Sequence, residues 1–142
     1  MSGTLVDTNI LLDLFTDDPA WADWSQSKLE SAATRGAIYI NSVIYAETSI
    51  GFDEIEVLEG ALQGCGVRML DLPKEALFLA GKVFQRYRSM GGRRAAPLPD
   101  FFIGAHAAVA GLKLLTRDRR RFGTYFPTLI LICPSDDLPE QP

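Results

Sequence analysis

Along this chain, short runs of β-forming apolar residues alternate with longer stretches of helical spacing. Leu5 and Val6 run straight into Asp7, Thr8 and Asn9. That reads as a buried strand, Leu5–Asp7, carrying a carboxylate to a strand-to-helix turn. Ile10, Leu11, Leu14 and Phe15 then fall at helical intervals, until Asp17-Asp18-Pro19 breaks the helix and starts another with Pro19 in an early position. Trp21, Trp24, Leu29 and Ala32 give that second helix an apolar side, and Gly36 closes it. Ala37–Ile40 is a second strand. Asn41 or Ser42 caps a helix through Ile44, Tyr45, Glu47, Thr48 and Ile50, ending near Gly51. A helix over Asp53–Leu62, rich in Glu54, Glu56 and Glu59, leads to a turn at Gly64-Cys65-Gly66 and a third strand, Val67–Leu72.

Pro73 opens a long helix that ends at Gly91-Gly92, and Gly92–Pro99 reads as a loop. Asp100 opens the next helix, Phe101–Gly111. Lys113–Thr116 and Ile130–Cys133 supply the last strands, with a helical turn over Arg119–Tyr125 between them. This alternation predicts an α/β fold, a mainly parallel sheet of about five strands flanked by helices on both faces. At 142 residues the chain reads as one domain over 1–134, followed by a polar, Pro-containing tail over 135–142.

A hydrophobic fraction of 47% and a charged fraction of 23% are ordinary for a globular domain and argue against disorder. The start shows no basic stretch followed by an apolar run, so no signal peptide is expected. The most apolar region, Phe101–Leu115, is interrupted by His106 and Lys113 and is too short to span a bilayer. Cys65 and Cys133 lack CxxC spacing and fit a reducing cytosol better than a disulfide scaffold. A cytoplasmic protein without a membrane partner is expected. The net charge of −4 is unevenly spread. Residues 1–81 set four bases against thirteen acids, a balance of −9, and residues 82–142 set ten bases against five acids, a balance of +5. An anionic partner would meet the second half.

Four carboxylates share a context. Asp7 ends the first strand, Glu47 lies about two turns into the helix after the second, Asp100 follows a Pro-Leu-Pro loop, and Asp118 comes two residues after the fourth strand. In a parallel sheet all four fall on the C-terminal side of the strands and can share one cleft. Each has a plainer alternative: helix capping for Asp7 and Asp100, a solvated face for Glu47, a surface ion pair for Asp118. Together they are costly when empty, since two like charges about 4 Å apart repel by about 4 kcal/mol at an effective dielectric of about 20. Protons or a divalent cation relieve that cost, and an all-oxygen donor set favours Mg²⁺ or Mn²⁺ over zinc. The chemistry that suits such a site is metal-assisted hydrolysis of a phosphodiester.

Four fragments in order carry a family resemblance: Leu5-Val6-Asp7-Thr8-Asn9, Tyr45-Ala46-Glu47, Pro99-Asp100-Phe101-Phe102-Ile103-Gly104-Ala105-His106-Ala107, and Leu115-Thr116-Arg117-Asp118 with Phe122 four residues on. The chain resembles a PIN domain, and most closely the ribonuclease toxins of VapC type in bacterial toxin–antitoxin pairs. The resemblance implies a Rossmann-like fold and a metal site from Asp7, Glu47, Asp100 and Asp118. It gives Thr116 a hydroxyl role near the metal or the scissile phosphate, and it has Asn9 orient Asp7 by hydrogen bonding. It implies Mg²⁺- or Mn²⁺-dependent endoribonuclease activity leaving a 5′-phosphate and a 3′-hydroxyl. It also implies a homodimer, neutralised by an antitoxin that inserts a basic side chain into the acidic groove. Some relatives carry an extra acid beside the fourth, where this chain has Arg117 and Arg119, so the number of metals stays open.

Arginine suits phosphate through paired hydrogen bonds. Arg117, Arg119 and Arg121 beside Asp118, and Arg93 and Arg94 just before Asp100, are therefore the candidates to hold RNA, a solvated basic turn being the alternative. His106 lies six residues after Asp100, about 240° round the helix, which points it away from that face and toward a structural role. Gly104, Ala107, Ala108 and Gly111 give the same helix a small face for close packing. Trp21, Trp24 and Phe15 fit either core or a partner groove.

Two rivals remain. A haloacid-dehalogenase-type phosphatase also starts from an Asp at the end of a first strand, but needs an acid where Asn9 stands. The other rival is a catalytically silent PIN-like module that binds RNA or a protein, and the crowding of four acids argues against it.

Overall fold

A computed structural model describes residues 3–91 and 98–134 of the chain. Five strands form one parallel sheet: β1 (Thr4–Val6), β2 (Ile38–Asn41), β3 (Arg68–Leu70), β4 (Lys113–Leu115) and β5 (Leu131–Ile132). Their order across the sheet is β3-β2-β1-β4-β5. The chain builds outward from β1 through β2 to β3, then returns to place β4 on the other side of β1. The order therefore reverses between β1 and β4, and the crevice at the carboxyl ends of these two strands is where such sheets bind ligands.

Leu5, Val6, Leu114 and Leu115 are all fully buried. Successive strand residues face opposite sides of a sheet, so burial of consecutive pairs means that both faces are covered. The coverings among the described residues are α1 (Thr8–Phe15), α2 (Ala22–Arg35), α3 (Ser42–Ser49), α4 (Ile55–Cys65), α5 (Lys74–Ser89), α6 (Leu98–Ala110) and α7 (Arg119–Tyr125). Edge strand β3 leaves Arg68 and Met69 exposed.

Several boundaries differ from expectation for identifiable reasons. Pro19 lies in a turn before α2 and not within it, because Asp18 Oδ1 accepts the N–H groups of Ala20 and Trp21 and holds the chain in a side-chain-capped turn. Gly64 is helical, since α4 runs on to Cys65 and stops at Gly66, whose φ of 75° takes the left-handed conformation. α6 begins at Leu98, so Asp100 lies in its first turn and does not open it. Pro99 is tolerated there because early helical N–H groups have no partner to lose. Residues 92–97 of the expected loop and the tail over 135–142 lie outside the described residues.

The small face of α6 does pack closely. A Cβ on Gly104 would collide with the Phe126 ring. His106, on the same helix, is buried, and its Nδ1 lies 3.0 Å from the Asn41 amide nitrogen. The amide can only donate, so Nδ1 accepts and the ring proton sits on Nε2. Burial lowers the His106 pKa, consistent with a neutral, structural imidazole.

Candidate active site

Asp7 occupies the turn between β1 and α1. Its backbone is extended, with φ −68° and ψ 155°, and its N–H continues the sheet by donating to the Leu115 carbonyl at 2.9 Å. The carboxylate is 5% exposed and bonded on both oxygens. Oδ1 accepts the Thr8 N–H at 2.8 Å, and Oδ2 accepts the Thr116 hydroxyl at 2.7 Å. Burial nevertheless pushes its pKa up to about 6, assisted by the charges of Asp100 and Glu47 and opposed by the two hydrogen bonds.

Thr116, just past β4, is fully buried and joins two acids. It donates to Asp7 and accepts the Asp118 N–H at 3.0 Å. Asp118 in turn caps α7, its Oδ1 accepting the Arg121 N–H at 3.1 Å. Thr8, expected only as part of the strand-to-helix turn, also places the third acid: its hydroxyl donates to Glu47 Oε1 at 2.7 Å, tying α3 to the start of α1. Asp100 comes from the first turn of α6. Burial raises its pKa, the Arg121 guanidinium opposes that rise, and Glu47 and Asp118 add to it. Asp7, Glu47, Asp100 and Asp118 therefore stand in one field at the carboxyl edge of the sheet, beside the reversal point between β1 and β4.

They share a field without forming a closed ligand set. Among the described residues no group of three such side chains is arranged to hold one ion. Thr8 holds a Glu47 oxygen, and Arg121 contacts Asp100 through Nη1 and Asp118 through Nε, the latter at 3.3 Å. The donor chemistry fits a hard divalent cation, since every candidate ligand is a carboxylate and no thiol or imidazole stands among them.

Two other expectations meet different geometry. Asn9 Oδ1 accepts the Arg117 N–H at 3.5 Å, while Thr8 and Thr116 supply the hydrogen bonds to Asp7. Arg117 turns inward. Its Nη2 donates to Asp13 Oδ1 at 2.9 Å, its Nε lies 2.9 Å from Asp13 Oδ2 with the N–H aimed elsewhere, and its guanidinium sits 4.9 Å over the Trp21 ring. Asp13 is buried and also accepts the Ser25 hydroxyl at 2.7 Å. Trp21 stands edge-on to Trp24 at 5.8 Å, so these rings belong to the packing around this ion pair. Asp13 went unread because one acid inside an apolar helical run looks like a solvated position. Arg119 and Arg120 are exposed on α7, and Arg93 and Arg94 lie outside the described residues.

The chain is thus an α/β domain with a parallel sheet and four carboxylates at its carboxyl edge beside the reversal point. The PIN domain model matches residues 4–125, and the chain belongs to that family. A comparison with functionally curated proteins finds no match. Solved structures with the same fold include VapBC2 from Rickettsia felis bound to a promoter DNA fragment, 23% identical over 95% of this chain and 100% of that one, with a TM-score of 0.73. VapBC-1 from nontypeable Haemophilus influenzae is 18% identical over 94% and 98% of the two chains, with a TM-score of 0.70. A toxin–antitoxin complex from Klebsiella pneumoniae is 22% identical over 90% and 96%, with a TM-score of 0.68. No helix among the described residues is long and apolar enough to cross a membrane.

Proposed function

We propose that the chain is a Mg²⁺- or Mn²⁺-dependent endoribonuclease, the toxin of a cytoplasmic toxin–antitoxin pair, acting as a homodimer. The observation that carries this reading is the Asp7 carboxylate, buried at the carboxyl edge of a PIN sheet, held by Thr8 and Thr116, and gathered there with Glu47, Asp100 and Asp118. Carboxylates gathered in one place are suited to binding a cation. Asp7, Glu47, Asp100 and Asp118 would hold it. When bound, the ion would lower the pKa of a water and draw charge from the phosphate.

The chain's own residues set the geometry of hydrolysis. Thr116 fixes Asp7 and the Asp118 backbone together, Thr8 fixes Glu47, and Asn9 steadies the turn at Arg117. In the reaction the water oxygen bonds to phosphorus and the P–O3′ bond breaks. One proton passes to the 3′ oxygen, leaving a 3′-hydroxyl and a 5′-phosphate. Arg119, Arg121, Arg93 and Arg94 make up the set proposed to meet RNA phosphates; Arg117, expected among them, is committed to Asp13 instead. Such contacts would position the strand without reading its sequence. The toxin–antitoxin complexes among the similar structures support a cognate antitoxin for this chain.

The test is cleavage of mixed RNA with and without Mg²⁺, using Asp7→Asn as the control. The wild type should cleave only with metal, and the variant should lose at least about 100-fold, the scale on which loss of metal-assisted stabilisation is felt. Equal cleavage by both would mean contamination. No cleavage by either would favour a silent binding module.

A further inference from the structure

The acids are not left to repel one another, because a cation of the chain's own lies among them. Arg121 Nη1 meets Asp100 Oδ2, and its Nε faces Asp118 Oδ2 at 3.3 Å. One planar guanidinium thus bridges two of the four proposed ligands, a geometry that suits its fork of donors. Its anchorage is one-sided. The backbone N–H of Arg121 is fixed on Asp118 Oδ1 at 3.1 Å, whereas its side chain is 40% exposed. The side chain can therefore swing toward water while α7 keeps its cap.

We infer that Arg121 is an internal counter-ion that bridges Asp100 and Asp118 in the metal-free protein and competes with a divalent cation for them. This rests on the metal reading given above. Metal entry then requires the guanidinium to leave both carboxylates, and the released arginine, still tethered at the rim, becomes available to an anionic substrate. The apparent metal affinity is the intrinsic affinity reduced by the fraction of chains in which Arg121 has withdrawn. Arg121 does not touch reacting atoms in this state; it sets when the acids are available.

The experiment titrates Mn²⁺ into the metal-free full chain at fixed ionic strength, following free Mn²⁺ by electron paramagnetic resonance. Wild type is compared with Arg121→Ala, Arg121→Gln and Arg120→Ala. Loss of the bridge should tighten Mn²⁺ binding about tenfold, equivalent to about 1.4 kcal/mol. Arg120→Ala removes the same charge from the neighbouring exposed position and should change affinity less than about twofold, as expected for a screened surface charge. Arg121→Gln guards against a folding defect in the alanine variant and should follow it. Unchanged or weaker binding by both Arg121 variants would overturn the inference, as would equal tightening by Arg120→Ala. If no protein binds Mn²⁺ at millimolar concentration, the metal reading itself fails. Binding by wild type without tightening in the variants refutes only the role of Arg121.

Discussion

Replacing Asp7 by Asn should stabilise the metal-free protein at high pH and lose that advantage in acid. The folded pKa of about 6 lies above the ordinary 3.8. Between those values the native protein keeps a proton that the unfolded chain has released. Stability therefore falls as pH rises from about 4 through 6 and stays lower above. The displacement corresponds to about 3 kcal/mol. Asparagine carries no charge to desolvate and still offers an oxygen to the Thr8 N–H. It gives up the acceptor for the Thr116 hydroxyl, which costs about 1 kcal/mol. The variant should thus be more stable than wild type by about 2 kcal/mol at pH 8, and level with it or slightly weaker at pH 4. Urea denaturation in EDTA at the two pH values measures the swing. A difference between the proteins that does not move with pH, or that grows in acid, would refute an Asp7 held above its normal pKa by burial.

Three further outcomes follow from the same geometry. Mg²⁺ or Mn²⁺ should raise the melting temperature of the wild type, by the equivalent of about 2.7 kcal/mol at a hundred times Kd, and Asp100→Asn should blunt the rise; calorimetry in metal and in chelator compares them. Asp13→Ala strands the Arg117 guanidinium and the Ser25 hydroxyl and should cost about 2 kcal/mol in urea denaturation, discounted because Arg117 is partly exposed. Gly104→Val drives a side chain into the Phe126 ring and should destabilise by about 1–3 kcal/mol, whereas Gly60→Ala, with nothing within 4 Å of the added atom, should be neutral or slightly stabilising.

The framework of the fold was legible because it rests on local pattern. Leu5-Val6, Ile38–Ile40 and Leu114-Leu115 announce strands by run length and residue type, and the alternation with helices leaves a parallel sheet as the natural arrangement. The placing of four acids at one edge follows from that sheet. What the pattern did not reveal was pairing across long separations. Thr8 with Glu47, Asp13 with Arg117 and Arg121 with Asp100 are 39, 104 and 21 residues apart, and nothing in either partner's neighbourhood marks the other. The run from Arg117 to Arg121 reads as one basic surface, yet Arg117 turns to a buried acid and Arg121 to the cleft. Turn details were missed for a similar reason, since Asp18 captures two N–H groups that periodicity assigns to a helix.

The Asn41–His106 contact lies in the buried interior, yet it ties together the two helices that carry site acids. Asn41 ends β2 and caps α3 through the Ile44 N–H, while its amide holds a ring on α6. Glu47 rides on the first of these helices and Asp100 on the second. One buried hydrogen bond, with the His106 ring as a spacer, thus links the elements that carry the two acids. A shorter or charged side chain at position 106 would be felt as a change in how the distant carboxylates face each other.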